Sequence, residues 1–166
     1  MEPYLLIPAR PDDAKRLAAM SHELVEAGLK PSWGATRIAW HIRDPESVVL
    51  TARVRGQPEG FAIMRYADES AHLNLLAVTP AYRRRGIGRA LIGWLEETAV
   101  TAGTFSISLE LRASNLPARA FYAALGYREG AEVCGYYQGI ESALRMTRDA
   151  RRAHAAQDPG ASQAAP

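Results

Sequence analysis

Cysteine is nearly absent from this chain, because Cys134 is the single one among 166 residues. A single cysteine excludes an internal disulfide and every zinc site built on paired cysteines. Long apolar runs are missing as well, since no stretch approaches the roughly 20 residues that span a bilayer. The first residues also lack the basic and apolar segments of a secretory leader. These absences predict a cytoplasmic protein without a membrane partner.

Strong charge of one sign is also missing. The net charge is +2, with 23% charged and 48% hydrophobic residues, as in ordinary globular domains. Such a mild charge does not predict nucleic acid as a partner. The histidines show no metal-ligand spacing, so no metal is predicted. They are His22, His41, His72 and His154.

Hydrophobic periodicity predicts one mixed α/β domain over residues 1–148. Beyond residue 148 the sequence turns to Ala, Arg, Gln, Gly, Pro and Ser, which predicts a disordered tail over residues 149–166. Strands are predicted at 4–7, 48–54, 61–66, in the run that ends at 78, and at 105–112, 127–133 and 142–147. Helices are predicted between 11 and 28, between 36 and 45, and at 88–102 and 115–125, with Asn115 as the cap of the last one. A turn is predicted over residues 56–60. The strand at 105–112 alternates, with apolar residues 107, 109 and 111 on one face and polar residues 106, 108, 110 and 112 on the other.

The most informative stretch is a basic glycine loop between a strand and a helix. It carries Gly86 and Gly88 among four arginines, at positions 83, 84, 85 and 89. Glycine lets backbone N–H groups approach a ligand, and a helix N-terminus favours an anion. This combination predicts a phosphate site, with a plain strand–helix turn and solvated arginines as the alternative. No Gly-Lys-Ser/Thr follows, and Leu91 replaces a third glycine, so neither a P-loop nor a dinucleotide fingerprint is present.

Three motifs in succession resemble the GCN5-related N-acetyltransferase superfamily. They are Arg83-x-x-Gly86-x-Gly88, the run Leu-Glu-Leu-Arg-Ala-Ser-Asn at 109–115, and Phe121-Tyr122-x-x-Leu125-Gly126-Tyr127. The second motif, with Tyr136 and Tyr137, looks like the RimI-type acetyltransferases, which modify the N-terminal α-amine of a ribosomal protein. The specific resemblance covers about residues 73–146, and residues 1–60 match in the order of elements.

The resemblance implies an α/β (α+β) fold with a mixed central sheet of six to seven strands and about four helices. Splayed central strands would form the acetyl-CoA site. The implied cofactor contacts lie at the end of one strand, in the glycine loop and at the next helix start. They are Leu76, Ala77, Val78, Arg83, Arg84, Arg85, Gly86, Ile87, Gly88, Arg89 and Asn115.

The resemblance further implies Tyr122 as general acid and Glu110 as general base. The alternation of its strand places Glu110 on the polar face, where a solvent-facing base is expected. A buried aromatic and a solvated carboxylate are the plain alternatives. The predicted acceptor is a protein N-terminal α-amine. A small-molecule amine such as an aminoglycoside or polyamine, or a non-catalytic acyl-CoA sensor, remains open. The protein is predicted to be a monomer or a homodimer.

Overall fold

The computed structural model describes residues 2–151, and within them seven strands accompany four α-helices. This confirms the predicted fold class. Short 3-10 turns at Pro11–Asp13 and Pro80–Tyr82 precede the first and third α-helices. The strands are β1 (Leu5–Pro8), β2 (Ser47–Val54), β3 (Gln57–Tyr66), β4 (Ser70–Val78), β5 (Ser106–Arg112), β6 (Arg128–Tyr137) and β7 (Glu141–Asp149). The helices are α1 (Ala14–Leu24), α2 (Ala35–Arg43), α3 (Ile87–Thr101) and α4 (Leu116–Ala124).

The strands follow the order β1-β2-β3-β4-β5-β7-β6 in one mixed sheet. The pairs β1–β2, β2–β3, β5–β7 and β7–β6 are antiparallel. At the start of β4 the Glu69 carbonyl accepts the Phe105 N–H, and three residues later His72 contacts Glu110 of β5. Residue numbers therefore increase in the same direction along both segments, so β4 and β5 are parallel.

The described residues form two compact units, one of residues 2–65 and 73–95 and one of 66–72 and 96–151. In the first unit α1 and α2 pack on the sheet through fully buried Leu17, Ile38 and Phe61. Such large side chains contribute roughly 1.5–3 kcal/mol each when removed from water. None of the described helices is long and apolar enough to cross a membrane.

The β2–β3 connection is shorter than the sequence predicts. Arg55 (φ 50°) and Gly56 (φ 79°) are both left-handed, the signature of a two-residue hairpin turn. Gly56, Pro58 and Gly60 are turn formers and predict a turn over residues 56–60. Instead β3 already begins at Gln57, and a register shift accommodates the proline.

That register shift makes Glu59 the extra residue of a β-bulge. Ala52 is opposite Gly60 and Arg53 is opposite Pro58, so Glu59 has no partner on β2. Its carbonyl accepts the Thr79 N–H at 2.8 Å, and its carboxylate accepts the Thr79 hydroxyl at 2.7 Å. The bulge therefore anchors the chain where it leaves β4.

Gly60 allows close packing between β3 and the start of α3. A Cβ at this position would lie 3.0 Å from Ile87 Cγ2 and 3.4 Å from the Ala77 carbonyl oxygen. We expect Gly60→Ala to lower the free energy of unfolding by about 1–3 kcal/mol, as overpacking does, in chemical denaturation. Gly93→Ala is the control, because a Cβ there meets no heavy atom within 4 Å. Equal changes in both variants would contradict this packing argument.

The second unit follows the predicted alternation of β5 closely. Ile107, Leu109 and Leu111 are buried, whereas the intervening residues are exposed or half-buried. A half-buried carboxylate, Glu96, accepts hydrogen bonds from the Tyr127 hydroxyl at 3.0 Å and from Arg148 at 2.8 Å. Burial raises the pKa of Glu96, and Arg148 partly opposes this.

The predicted domain boundary at residue 148 lies within an ordered strand. Asp149 is the last residue of β7, and Ala150 is buried with its N–H bonded to the Phe105 carbonyl at 2.9 Å. Both residues therefore belong to the fold rather than to the predicted tail. Arg151 is the last described residue, and residues 152–166 of the predicted tail lie outside the described residues.

Candidate active site

The basic loop, residues 79–86, has its shape set by internal hydrogen bonds. Thr79 is bonded to Glu59, and the Arg83 Nε donates to the Val78 carbonyl at 3.0 Å. Arg84 (φ 63°) and Gly86 (φ 81°) are both left-handed. An arginine in this conformation is uncommon, and it shows that the surrounding contacts determine the path of the chain.

Gly86 stands directly before α3. Its carbonyl accepts the Ala90 N–H at 2.9 Å, so the helix begins immediately after it. A Cβ at Gly86 would meet no heavy atom within 4 Å, so the space beside this residue is open. The first N–H groups of a helix have no intrahelical acceptor and carry partial positive charge. Exposed Arg84, Arg85 and Arg89 add three cations, and this arrangement suits a phosphate or pyrophosphate.

The other predicted cofactor residues of the first unit lie either at the end of β4 or in the basic loop. Leu76, Ala77 and Val78 form the end of β4, where Ala77 is buried and its neighbours are half-buried. The Arg83 guanidinium binds Val78, so this arginine stabilises the loop from within. Arg85 instead lies over the Tyr82 ring at 5.1 Å, which leaves its charge at the exposed surface.

Asn115 caps α4, as its residue type and position predict. Its side-chain oxygen accepts the Ala118 N–H at 3.1 Å, and the residue is exposed. The cap occupies only the carbonyl side of the amide, which also carries two N–H donors. Helix capping and a contact to a ligand are therefore compatible at this position.

Tyr122 is a buried tyrosine on α4. Its ring meets Phe121 and Tyr127 edge-on, with centroid distances of 5.0 and 5.6 Å. Burial is the main cause that raises the pKa of the Tyr122 phenol, and Tyr137 adds to it. The phenol therefore carries its proton at neutral pH, as a proton donor must.

Glu110 is not a solvent-facing base, and this corrects the sequence-based expectation. Its side chain is 8% exposed. One carboxylate oxygen accepts the Arg145 Nε at 2.9 Å, and the other contacts His72 Nε2. The His72 hydrogen bond is the largest cause that lowers the pKa of Glu110, and Arg145 acts in the same direction.

His72 is the functional candidate that sequence reasoning missed. In the sequence it is one of four histidines without metal-ligand spacing. The available signal was the alternation of β4, where Ala71, Leu73 and Leu75 are buried and His72 is on the opposite face with a side chain 41% exposed. The pairing with Glu110 depends on adjacency of residues 38 positions apart, which the sequence does not display.

The lowered pKa of Glu110 predicts a pH-dependent contribution to stability. The folded state favours the carboxylate, so this contribution is complete above the unfolded pKa of 4.5 and disappears as the pH falls through the lower folded value. We expect Glu110→Gln to lower the free energy of unfolding at pH 7 by about 1 kcal/mol. The difference from the wild type should vanish well below pH 4. A difference that persists at low pH would contradict this origin.

A second buried carboxylate organises the connection between α1 and α2. Glu26 is 5% exposed and accepts the Ser32 and Trp33 N–H groups at 2.6 and 2.9 Å. Trp33 in turn stacks under the Arg37 guanidinium, 3.7 Å from the ring centroid, and lies 5.2 Å from the His41 ring. This connection is therefore an ordered segment built around one carboxylate.

Comparison with known proteins decides the family. Residues 15–127, well over half of the chain, match the model of the Acetyltransferase (GNAT) family. The chain belongs to this family. The GNAT membership confirms the resemblance seen in the glycine loop, in the segment of Glu110 and Asn115, and in the segment of Tyr122.

Two curated relatives are ribosomal protein bS18-alanine N-acetyltransferases. The one from Salmonella typhimurium is 40% identical over 89 residues, which are 52% of this chain and 60% of the relative. The one from Escherichia coli is 38% identical over 94 residues, or 55% and 64% of the two chains. The aligned segments therefore span less than two thirds of either relative.

Two solved structures resemble most of this chain. The ribosomal-protein-S18-alanine N-acetyltransferase from Escherichia coli gives a TM-score of 0.77 at 27% identity, covering 89% of this chain and 94% of that chain. Ard1 from Thermoplasma volcanium gives a TM-score of 0.78 at 26% identity, covering 88% and 97%.

Proposed function

We propose that this GNAT protein is an acetyl-CoA-dependent N-acetyltransferase whose acceptor is a peptide or protein N-terminal α-amine. The observation that carries the proposal is the similarity to the bS18-alanine N-acetyltransferases, which extends over nearly all of the solved Escherichia coli structure. A cytoplasmic location and a monomeric or homodimeric state stay predictions.

The residues of the basic loop suit the pyrophosphate of acetyl-CoA. Open space in front of Gly86, the start of α3 and three exposed arginines favour a multiply charged anion. We assign the pyrophosphate contacts to the amides from Gly86 to Arg89 and to the neighbouring guanidinium groups. We assign pantetheine contacts to the backbone of Leu76, Ala77 and Val78, and a further contact to the Asn115 amide. When bound, acetyl-CoA supplies an acetyl group activated as a thioester.

Two side chains of the second unit have the properties that acyl transfer requires. The buried phenol of Tyr122 retains its proton at neutral pH and is assigned to protonate the departing thiolate. Glu110 retains its negative charge and is assigned to favour removal of a proton from the acceptor ammonium. Together these groups cover both proton transfers of amide formation.

The low basicity of Glu110 favours an α-amine over a lysine side chain. Deprotonating an α-amine, with an ordinary pKa near 7.7–8.0, costs roughly 1 kcal/mol at pH 7. The same step on lysine, with a pKa near 10.4, costs roughly 4.6 kcal/mol. A carboxylate whose pKa is lowered by His72 and Arg145 is a weak base, so the more easily deprotonated amine suits it better.

A thiol-release assay over matched acceptors tests the proposal. Peptides with a free N-terminus and different first residues are compared with the same peptides acetylated at the N-terminus but carrying an internal lysine. A set of polyamines and aminoglycosides completes the panel. We expect turnover with free N-termini and none with the blocked peptides. Turnover confined to small amines would overturn the acceptor assignment, and coenzyme A binding without turnover would overturn the enzymatic one.

A further inference from the structure

Three exposed arginines stand at the end of the basic loop and the start of α3. They are Arg84, Arg85 and Arg89, and none of them forms an ion pair with a residue that the structure describes. Arg119, by contrast, is paired with Glu129 through its Nε at 2.9 Å. Guanidinium groups that no described carboxylate neutralises, beside the start of a helix, favour a bound anion.

Arg85 differs from the other two because its guanidinium lies over an aromatic ring. Its Cζ is 5.1 Å from the centroid of Tyr82, within the range of about 6 Å for a cation–π contact. Within the part of the chain that the structure describes, no hydrogen bond, ion pair or ring contact holds the side chains of Arg84 and Arg89. Arg85 is therefore the arginine of this group whose position is set before a ligand arrives.

Glu2 orients the ring that lies under Arg85. The Tyr82 hydroxyl donates to Glu2 Oε2 at 3.0 Å, and this hydrogen bond is the largest cause that raises the pKa of the Tyr82 phenol. The other oxygen of Glu2 accepts a hydrogen bond from Arg55, so the carboxylate is itself held by two partners. A phenol that donates to a carboxylate has a more electron-rich ring, and the face of such a ring attracts a cation more strongly.

The backbone of Tyr82 is fixed as well. Its N–H donates to the Thr79 carbonyl at 2.9 Å, and the Thr79 hydroxyl donates to the Glu59 carboxylate at 2.7 Å. Arg16 lies 3.9 Å from that carboxylate and offsets its negative charge. The ring of Tyr82 is therefore held through both its hydroxyl and its backbone, and it is a fixed support for the Arg85 guanidinium.

We propose that Tyr82, oriented by Glu2, is a positioning residue that holds Arg85 ready for a phosphate group of the acyl donor. This proposal rests on the proposed function and adds two residues outside the glycine motif to donor binding. An unrestrained arginine loses much rotamer freedom when it binds a phosphate, and a side chain that is held in advance loses less. Coenzyme A carries phosphate in its pyrophosphate and on its ribose, and both present the charged oxygens that a guanidinium binds.

Calorimetry with coenzyme A measures what the ring contributes. We expect Tyr82→Leu to weaken binding about threefold, the equivalent of ordering one arginine side chain. Tyr82→Phe loses only the hydrogen bond to Glu2, so its loss should be smaller, and Tyr82→Trp offers the best ring for a cation and should retain wild-type affinity. Phe105→Leu is the matched control, because it removes a ring of the second unit that has the Arg151 guanidinium 3.2 Å from its centroid. Its affinity should equal that of the wild type.

A double-mutant cycle shows whether the ring acts through Arg85. We expect Arg85→Gln to weaken coenzyme A binding about tenfold, the equivalent of one charge-assisted hydrogen bond. Adding Tyr82→Leu to that variant should cost less than about 1.5-fold more, because the arginine that the ring supports is already gone. Equal costs of Tyr82→Leu in both backgrounds would overturn the proposal. Tighter binding in Tyr82→Leu would also overturn it, because the ring would then keep Arg85 away from the ligand.

A donor analogue identifies the phosphate that Arg85 binds. Dephospho-coenzyme A lacks the phosphate on the ribose and retains the pyrophosphate. If the coupling between Tyr82 and Arg85 persists with this analogue, the arginine binds the pyrophosphate. If the coupling disappears, the arginine binds the ribose phosphate. Either result supports the positioning role of Tyr82.

Steady-state kinetics separate donor positioning from catalysis. Tyr82→Leu should raise the KM for acetyl-CoA about threefold and leave kcat at saturating donor within about twofold of the wild type, because it removes binding that is equal in the ground state and the transition state. A lower kcat at unchanged KM would overturn the proposal. If the wild type binds coenzyme A with the expected coupling but acetylates no amine, the proposed function fails and the positioning role of Tyr82 stands.

Discussion

Replacing Tyr122 with phenylalanine should lower kcat by about 10²–10⁴-fold, the usual contribution of a positioned acid, and leave coenzyme A affinity within about twofold. The phenol is buried, and burial raises its pKa, so the proton is present throughout the neutral range. Its ring packs on Phe121 and Tyr127, and phenylalanine preserves these contacts. Thiol release with the best acceptor of the panel measures kcat, and calorimetry measures coenzyme A binding.

Tyr127→Phe is the matched control for this variant. It removes the same hydroxyl from a buried tyrosine of the same unit, but that hydroxyl donates to Glu96. We expect Tyr127→Phe to lose about 1 kcal/mol of unfolding free energy with kcat unchanged. A Tyr122→Phe enzyme with wild-type kcat would remove Tyr122 from the proton transfer. Equal losses of kcat in both variants would point to a packing effect.

Gly86→Val should weaken coenzyme A binding by at least about tenfold, equivalent to losing one charge-assisted hydrogen bond. Gly86 has φ 81°, a conformation in which a β-branched side chain is strained. Relief of that strain would turn the amides at the start of α3, and the new side chain would occupy the open space beside Gly86. Calorimetry with coenzyme A measures the loss without any acceptor.

Gly56→Val separates this binding effect from backbone strain. Gly56 has φ 79°, and a Cβ there also meets nothing within 4 Å, but it lies in the β2–β3 turn. We expect both variants to lose similar unfolding free energy, about 1–2 kcal/mol for a left-handed non-glycine residue. Coenzyme A affinity should fall only in Gly86→Val. Equal affinities in the two variants would refute the assignment of the loop.

The sequence predicts elements best where one local pattern decides them. The alternation of β5 and the Asn115 cap of α4 are both confirmed because each depends on residues a few positions apart. The start of β3 was predicted too late because Pro58 and Gly60 are turn formers, whereas the bulge at Glu59 accommodates them in a strand. The residue types near Glu59 do not show that a bulge will keep these turn formers within a strand.

The candidate site divides in the same way. The glycine loop can be predicted from the sequence because glycine and arginine themselves indicate an anion site. The environment of Glu110 cannot be predicted in this way. Its partners His72 and Arg145 are 38 and 35 positions away in the sequence and become neighbours only through the order of the strands. The expectation of a solvent-facing side chain is therefore wrong at a residue whose place in a strand the sequence predicts correctly.

The bulge at Glu59 has a consequence for protein engineering. The carbonyl and the carboxylate of Glu59 both accept hydrogen bonds from Thr79. The conformation of the basic loop therefore depends partly on the β2–β3 hairpin, which contains Glu59, 20 residues earlier in the sequence. Transplanting residues 79–89 alone into another scaffold would carry the arginines and glycines but not their anchor. A graft that retains anion affinity needs the bulged hairpin as well, so the transferable unit is a pair of segments rather than a linear motif.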